Sequence, residues 1–136
     1  MILCDTSALI AFLDQSDRHH SAVRAFEQER LIVPSTVLCE VDYMVVKYLG
    51  EAVAKQFFAE LLEEWEVLVF DTTDLARVNQ IRQFYDSLPL GFVDASLVAL
   101  AERYRIKRIL TLDRRHFLAI QPVGLEFLEL LPTTLN

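Results

Sequence analysis

The fold of this chain is decided by its first ten residues, Met1-Ile2-Leu3-Cys4-Asp5-Thr6-Ser7-Ala8-Leu9-Ile10. Residues 2–4 are apolar, which is typical of a short buried strand, and the run stops at the carboxylate of Asp5. Thr6 or Ser7 is then a suitable N-cap for a helix over the apolar residues 8–13. Asp5 is therefore expected where a strand ends and a helix begins, the place where open α/β sheets bind ligands. On this stretch alone, an ordinary turn or capping role for Asp5 is the simpler interpretation.

Length and composition are typical of one globular domain over residues 1–136. The hydrophobic fraction of 53% lies slightly above the usual ~45–50%, which indicates some surface buried against a partner. No apolar run approaches the roughly 20 residues that span a bilayer, and no basic segment precedes the first apolar stretch, so neither a membrane span nor a secretory signal is expected. The two cysteines, Cys4 and Cys39, lie far apart in apolar contexts, so we expect a reduced, cytoplasmic protein.

The net charge of −7 argues by itself against a nucleic-acid partner, because phosphates favour basic surfaces. The distribution of charge matters more than the total, and six of the 13 basic residues fall within residues 103–116. This cluster is either a solvated helix end and loop or a basic rim beside an acidic pocket. Charge alone leaves both interpretations open.

Apolar strands alternate with amphipathic helices along the chain. Strands are predicted at residues 2–4, 31–33, 66–70, 108–112 and 125–130. Helices are predicted at residues 8–13, 17–30, 36–49 (with Ser35 as N-cap and Gly50 as the stop), 51–65, 75–88 and 92–105. This alternation predicts an α/β fold with a central parallel sheet of about five short strands, right-handed crossovers and flanking helices.

Asp94 is the least expected residue of the predicted helix over residues 92–105. Leu97, Val98 and Ala101 follow it by three, four and seven residues, so Asp94 shares their apolar face. A buried carboxylate costs on the order of several kcal/mol unless it is paired, and a helix N-terminus returns only ~0.3–1 kcal/mol. A partly exposed first-turn residue is the plain alternative, but the position on the apolar face favours a functional role.

Several acidic residues are expected at one edge of this sheet. Asp5 and Asp113 directly follow strands, and Asp94 lies in a first helical turn. Glu40 and Asp42 lie on opposite edges of another apolar stripe, and helical geometry alone does not choose between them. Strand ends and the following helix starts share one edge, so these carboxylates would converge and repel each other. Oxygen ligands without Cys or His select Mg²⁺ or Mn²⁺, which serve phosphoryl chemistry.

Four short motifs around these acids resemble those of the PIN domain, most closely the VapC-type toxins of bacterial toxin–antitoxin pairs. In chain order they are Cys4-Asp5-Thr6-Ser7-Ala8-Leu9, Leu38-Cys39-Glu40-Val41, Val93-Asp94-Ala95-Ser96-Leu97-Val98-Ala99-Leu100-Ala101-Glu102 and Ile109-Leu110-Thr111-Leu112-Asp113-Arg114-Arg115-His116-Phe117. Each motif is weak alone, whereas four in the right order over nearly the whole chain are specific. The second motif selects Glu40 over Asp42.

The resemblance implies a PIN-like fold and a Mg²⁺- or Mn²⁺-dependent endoribonuclease. Its substrate would be a structured RNA, such as a tRNA, and a metal-activated water would attack a phosphodiester. The resemblance implies that Asp5, Glu40, Asp94 and Asp113 are the catalytic residues and metal ligands.

The same resemblance implies supporting roles and partners. Thr6 and Thr111 would place hydroxyl groups beside the acids, and Arg114 or Arg115 would contact a substrate phosphate. A cognate antitoxin would cover the acidic pocket, and the toxin would form a homodimer. The apolar stripe of residues 51–65 is the expected association surface: Val53, Phe57, Leu61 and Leu62.

Three other classes of protein share an acidic pocket on an α/β sheet. In a phosphoacceptor receiver domain Asp71 would be the acceptor, but a second acid after the first strand and a lysine after a late strand are missing. A phosphatase with an Asp nucleophile needs another Asp where Ser7 stands. A catalytically inactive PIN-like binding module is compatible with the sequence, although the four acids count against it.

Overall fold

The computed structural model describes residues 1–135 and contains an α/β fold with five strands and six α-helices in that part of the chain. The strands are β1 (Ile2–Cys4), β2 (Leu31–Pro34), β3 (Glu66–Leu68), β4 (Arg108–Leu110) and β5 (Glu129–Leu131). The α-helices are α1 (Thr6–Leu13), α2 (His20–Arg24), α3 (Leu38–Leu49), α4 (Glu51–Glu63), α5 (Thr72–Phe84) and α6 (Phe92–Tyr104). Two 3₁₀ turns, Ser35–Val37 and Phe117–Ala119, precede α3 and follow β4.

The five strands form one parallel sheet in the order β3-β2-β1-β4-β5, which confirms the predicted fold class. β1 is the central strand, and all three of its residues are buried. Its neighbours are β2 and β4, which are far apart in sequence. Since every strand runs the same way, the residues that follow β1 and β4 emerge at the same edge of the sheet.

The start of the chain is fixed to both neighbours by main-chain hydrogen bonds. The amide of Ile2 donates to the carbonyl of Arg30 (3.0 Å), and the amide of Asp5 donates to the carbonyl of Leu110 (2.9 Å). The second bond holds Asp5 against the end of β4. The prediction that Asp5 lies between a strand and a helix is confirmed. The predicted N-cap at Thr6 or Ser7 is wrong, because Asp5 itself caps α1.

α6 is buried on all sides in its middle turns, from residue 95 to residue 101. A helix that is apolar around its whole circumference belongs to a core rather than to a surface. Glu102, near its C-terminal end, accepts hydrogen bonds from Arg77 of α5 (2.7 and 3.0 Å) and from the amide of Val123 (2.8 Å). These contacts fix α6 between α5 and the loop before β5. The N-terminal turn of α6, with Asp94, is thereby held at the edge of the sheet.

Two predicted helix starts fail because polar side chains bind other backbone groups. Residues 17–30 contain only the five-residue helix α2, and its start is delayed because Asp14 accepts the amide of Ser16 and Asp17 accepts the amide of His19. Such Asx turns compete with helix formation. Ser35 is not an N-cap of α3, because its hydroxyl accepts the amide of Phe70 (3.0 Å) instead.

The predicted association stripe on α4 is largely core. Phe57 and Leu61 are buried in the main hydrophobic cluster, and Val53 is partly buried against it. Leu62, by contrast, is 89% exposed and points away from the stripe. Within residues 1–135, no helix has both the length and the apolar character needed to cross a bilayer.

Candidate active site

The four predicted acids line one open cleft of about 540 Å³ at the carboxyl edge of the sheet. Asp5 comes from the end of β1, Glu40 from α3, Asp94 from α6 and Asp113 from the loop after β4. Asp42 is exposed and does not line the cleft. The structure therefore brings together the set that the motifs selected, from four separate segments of the chain.

Asp5 is the most enclosed of these acids, with 5% of its surface exposed. One carboxylate oxygen accepts the amide of Thr6 (2.8 Å), and the other accepts the hydroxyl of Thr111 (2.7 Å). Burial is the main cause that raises the pKa of Asp5, the two hydrogen bonds partly offset it, and the neighbouring charges of Asp94 and Glu40 add to it. Together these effects raise the pKa of Asp5 to about 6. The simpler interpretation of Asp5 as a capping residue is thus correct in part, because Asp5 caps α1. Capping does not explain why Asp5 is buried among other acids.

Two hydroxyl groups join the end of β1 to the loop after β4. The Thr111 hydroxyl, which binds Asp5, also accepts the amide of Asp113 (3.1 Å). The Ser7 hydroxyl accepts the amide of Leu112 (2.9 Å) and lies 3.4 Å from the Thr111 hydroxyl. Thr111 is completely buried. These bonds set the position of Asp113 relative to Asp5.

Glu40 is held to the first motif by a single short contact. The hydroxyl of Thr6 donates to Oε1 of Glu40 (2.6 Å), while Glu40 itself remains solvent-exposed. The structure thus places Thr6 between the first and second acids, as Thr111 lies between the first and the fourth. Each threonine hydroxyl therefore binds one of the four acids.

Asp94 is half-buried at the start of α6 and is bound by a side chain from the fourth motif. Its Oδ2 atom lies 3.1 Å from Nδ1 of His116. Burial raises the pKa of Asp94 above its ordinary value, the hydrogen bond and charge of His116 oppose this, and the carboxylates of Asp113 and Glu40 add to it. The Asp94 side chain therefore lies at the margin of the cleft. It is neither fully buried on the apolar face of α6 nor fully exposed in its first turn.

The two candidate phosphate ligands after β4 differ in their surroundings. Arg115 is exposed, whereas Arg114 is partly buried, with its guanidinium directed at the carbonyls of Thr111 (3.4 Å) and Thr133 (3.5 Å). Burial also lowers the pKa of Arg114. The two are therefore not equivalent, and Arg115 is the one accessible to a ligand.

The predicted basic rim is not continuous. Arg103, at the far end of α6 from the cleft, forms ion pairs with Asp71 (3.1 Å) and Asp74 (2.6 Å). Arg108 forms an ion pair with Glu29 (2.8 Å). These cations are used in contacts between elements, which a run of basic letters in the sequence does not reveal.

Three residues at or behind the cleft were not predicted from the sequence. Asp17 lines the cleft from the turn before α2, Ser7 binds the loop after β4, and His116 binds Asp94. Ser7 and His116 lie inside quoted motifs, so their positions carried a signal. Asp17 carried none, because its place depends on the path of an irregular segment.

The donor chemistry of the cleft fits a hard divalent cation. All four acids offer oxygen ligands, and the mutual repulsion seen at Asp5 and Asp94 is what a cation relieves. Within residues 1–135, however, no three Asp, Glu, His or Cys side chains lie close enough together to form a ready-made site. The residues therefore fit such an ion through the chemistry of their donor atoms.

Comparisons of sequence identify the family. The PIN domain model matches residues 2–121 of the chain. Ribonuclease VapC26 of Mycobacterium tuberculosis is 35% identical to the chain over 127 residues, which cover 90% of this chain and 94% of that relative. The chain therefore belongs to the PIN domain family. Within that family its relatives place it among the VapC-type ribonuclease toxins.

Solved structures share the same fold. VapC20 of Mycobacterium tuberculosis, a sarcin–ricin loop cleaving toxin, has a TM-score of 0.73 at 18% identity and covers 80% of this chain and 87% of its own. VapBC2 of Rickettsia felis, bound to a promoter DNA fragment, has a TM-score of 0.70 at 18% identity and covers 96% and 98%. A toxin–antitoxin complex of Klebsiella pneumoniae has a TM-score of 0.66 at 24% identity and covers 88% and 92%.

The receiver-domain alternative fails on both sequence family and structure. Asp71, its candidate acceptor, caps α5 by accepting the amides of Thr73 and Asp74. Asp74 returns the contact by accepting the amide of Asp71, so the two form a capping box. Asp71 therefore has a structural role, away from the acidic cleft.

The raised pKa of Asp5 predicts a stability that depends on pH. Its pKa is about 6 in the folded protein and near 3.8 when unperturbed. The folded state therefore binds more protons than the unfolded state between these values, and metal-free stability falls as pH rises from 4 to 6. Asp5→Asn keeps a hydrogen-bonding side chain and removes this loss. At pH 7.5 it should raise the free energy of unfolding by about 3 kcal/mol, at about 1.4 kcal/mol per pKa unit.

Urea unfolding in EDTA at pH 4 and at pH 7.5 measures this effect. The stability difference between variant and parent should be near zero at pH 4 and should grow with pH. Asp42→Asn, on the exposed side of α3, is the matched control and should show no such growth. A difference for Asp5→Asn that is the same at both pH values would show that Asp5 is an ordinary ionised cap.

Proposed function

We propose that this chain is a Mg²⁺- or Mn²⁺-dependent endoribonuclease and the toxin of a type II toxin–antitoxin pair. The observation that carries the proposal is the convergence of four carboxylates, from four segments of the chain, on one open cleft. The pKa values of two of them, Asp5 and Asp94, are raised, which supports a site that holds a cation. Kinship with ribonuclease VapC26 supports RNA as the substrate.

In this proposal Asp5, Glu40, Asp94 and Asp113 are the catalytic residues and hold the metal. A divalent cation, when bound, supplies the charge that activates a water and stabilises the phosphodiester during attack. The protein's own side chains orient these carboxylates. Thr6 orients Glu40, while the buried Thr111 hydroxyl fixes the Asp5 carboxylate from behind.

The substrate in this proposal is a structured RNA, with tRNA and a sarcin–ricin loop RNA as the first molecules to test. The cleft is open and about 540 Å³ in volume, so it admits a backbone phosphate with its sugar rather than a whole folded RNA. The rest of the RNA must lie on the rim. Arg115 is the exposed cation that follows Asp113, and it is the proposed phosphate contact there.

The proposed partners follow from the same site. A cognate antitoxin would cover the acidic cleft, where one of its basic side chains would meet the carboxylates. We also propose a cytoplasmic homodimer. The buried residues of the α4 stripe, Phe57 and Leu61, are not free to form its interface, whereas Leu62 of the same helix, Phe84 and Leu118 are exposed apolar side chains that are available for association.

The test of the proposed function is RNA cleavage by the purified chain, freed of any antitoxin, with Mn²⁺ or with EDTA. Cleavage should require the metal. Glu40→Gln should reduce cleavage on the order of 100-fold, because it removes a charged oxygen ligand and keeps the shape. Asp42→Asn, two residues away on the same helix but outside the cleft, is the matched control and should leave cleavage unchanged.

Cleavage that persists undiminished in EDTA would contradict the metal requirement. Failure of every variant and of the parent to cleave any structured RNA, in the presence of bound Mn²⁺, would instead favour the inactive binding module.

The role of Arg115 is tested by the salt dependence of RNA binding. Each phosphate contact releases counterions, so Arg115→Ala should reduce the slope of log affinity against log salt by about 1. Lys55→Ala removes one exposed positive charge from α4, which does not line the cleft, and should leave the slope unchanged. Equal slopes for Arg115→Ala and the parent would place the RNA elsewhere on the surface.

A further inference from the structure

His116 is a residue of the fourth motif to which the proposed function assigns no role. Its side chain is 14% exposed, and that of its partner Asp94 is 22% exposed, so their contact is largely shielded from water. Nδ1 of His116 lies 3.1 Å from Oδ2 of Asp94. The contact joins the loop after β4 to the first turn of α6, 22 residues earlier in the chain.

The backbone around His116 is fixed by contacts within its own segment. The next residue, Phe117, is buried in the core and anchors the turn. The amide of Leu118 donates to the carbonyl of Arg114 (3.1 Å), and the amide of Ala119 donates to the carbonyl of His116 (3.1 Å). His116 therefore approaches Asp94 from a turn that is restrained by the buried Phe117 and by these backbone hydrogen bonds.

The surroundings of the ring define which nitrogen carries the proton. An ionised carboxylate only accepts hydrogen bonds, so Nδ1 of His116 must donate to Asp94. Nε2 is buried and has no hydrogen-bond partner in the described chain, residues 1–135. A proton on Nε2 would leave a buried donor unpaired, which costs more than an unpaired nitrogen lone pair. The geometry thus places the donated proton on Nδ1.

The start of α6 provides no side-chain cap that would bind its first turn, where Asp94 lies. The N-cap of α6 is Gly91, which has no side chain to bind the first turn. Carboxylates that hold metals are commonly oriented by a second hydrogen bond from behind, and removing that partner typically costs 10–100-fold in metal affinity.

We propose that His116 is a positioning residue, whose Nδ1–H group fixes the Asp94 carboxylate so that it faces the acidic cleft. This inference rests on the proposed function, since it assigns how one of the proposed metal ligands is held. His116 is not one of the residues that line the cleft. It acts through Asp94, from the side of the carboxylate that faces the protein.

Two variants separate hydrogen bonding from packing. His116→Asn places an amide N–H close to the position of Nδ1, and His116→Phe keeps a ring without any donor. Mn²⁺ affinity, measured by electron paramagnetic resonance, should fall about 10–100-fold in His116→Phe and should stay within about threefold of the parent in His116→Asn. In RNA cleavage, His116→Phe should lower kcat with KM unchanged, because RNA contacts remain.

A two-bond ¹H–¹⁵N spectrum of the metal-free parent tests the same contact without any metal, and it decides the question even if His116→Phe does not fold. The proton should be found on Nδ1. A proton found on Nε2, or a His116→Asn variant as impaired as His116→Phe, would overturn the inference.

The outcomes also distinguish this inference from the proposed function. If the parent binds Mn²⁺ and cleaves RNA but His116→Phe matches it in affinity and kcat, only the positioning role is overturned. If the parent binds no Mn²⁺ at all, the proposed function fails, and the positioning role fails with it.

Discussion

The Asp5 carboxylate lies at the end of the central strand, almost fully removed from water, with two other carboxylates near enough to raise its pKa. Such burial costs on the order of several kcal/mol for an ionised group. The amide of Thr6 and the hydroxyl of Thr111 offset part of this cost, but the pKa of about 6 shows that they do not offset all of it. The cleft therefore retains an unfavourable concentration of negative charge, which the proposed divalent cation would relieve.

The topology of the sheet makes this arrangement possible. Because β1 is central and pairs with β4, the first and fourth motifs meet although they are more than 100 residues apart. Thr111 links the two motifs, because its hydroxyl donates to Asp5 of the first motif and accepts from the amide of Asp113 in the fourth. The contacts of Glu102 with Arg77 and Val123 hold α6, and Asp94 with it, from the opposite end. The core thus supplies the stability that the acidic cleft removes.

The features that depend on strand direction could be predicted from the sequence. The features that depend on a hydrogen bond of one side chain could not. The four acids were predictable because parallel strands deliver the residues that follow them to one edge, and all of them do line the cleft. The choice of Glu40 over Asp42 needed the motif, since helical angles were ambiguous. The helix predicted over residues 17–30 is only the short α2, and it starts late because Asp14 and Asp17 turn the backbone before it by local hydrogen bonds. The contact of His116 with Asp94 could not be predicted, because it depends on the path of the turn after β4.

In the proposed function, a cation that binds in this cleft replaces the proton on the buried Asp5 carboxylate. Calorimetric titration of Mn²⁺ into the parent, in two buffers with different ionisation enthalpies, measures the protons released on binding. At pH 6 about half of the Asp5 side chains carry a proton, because the pKa is about 6. We expect the release of at least about half a proton per chain at pH 6 and almost none at pH 8. Binding heats at pH 6 that are the same in both buffers would contradict it.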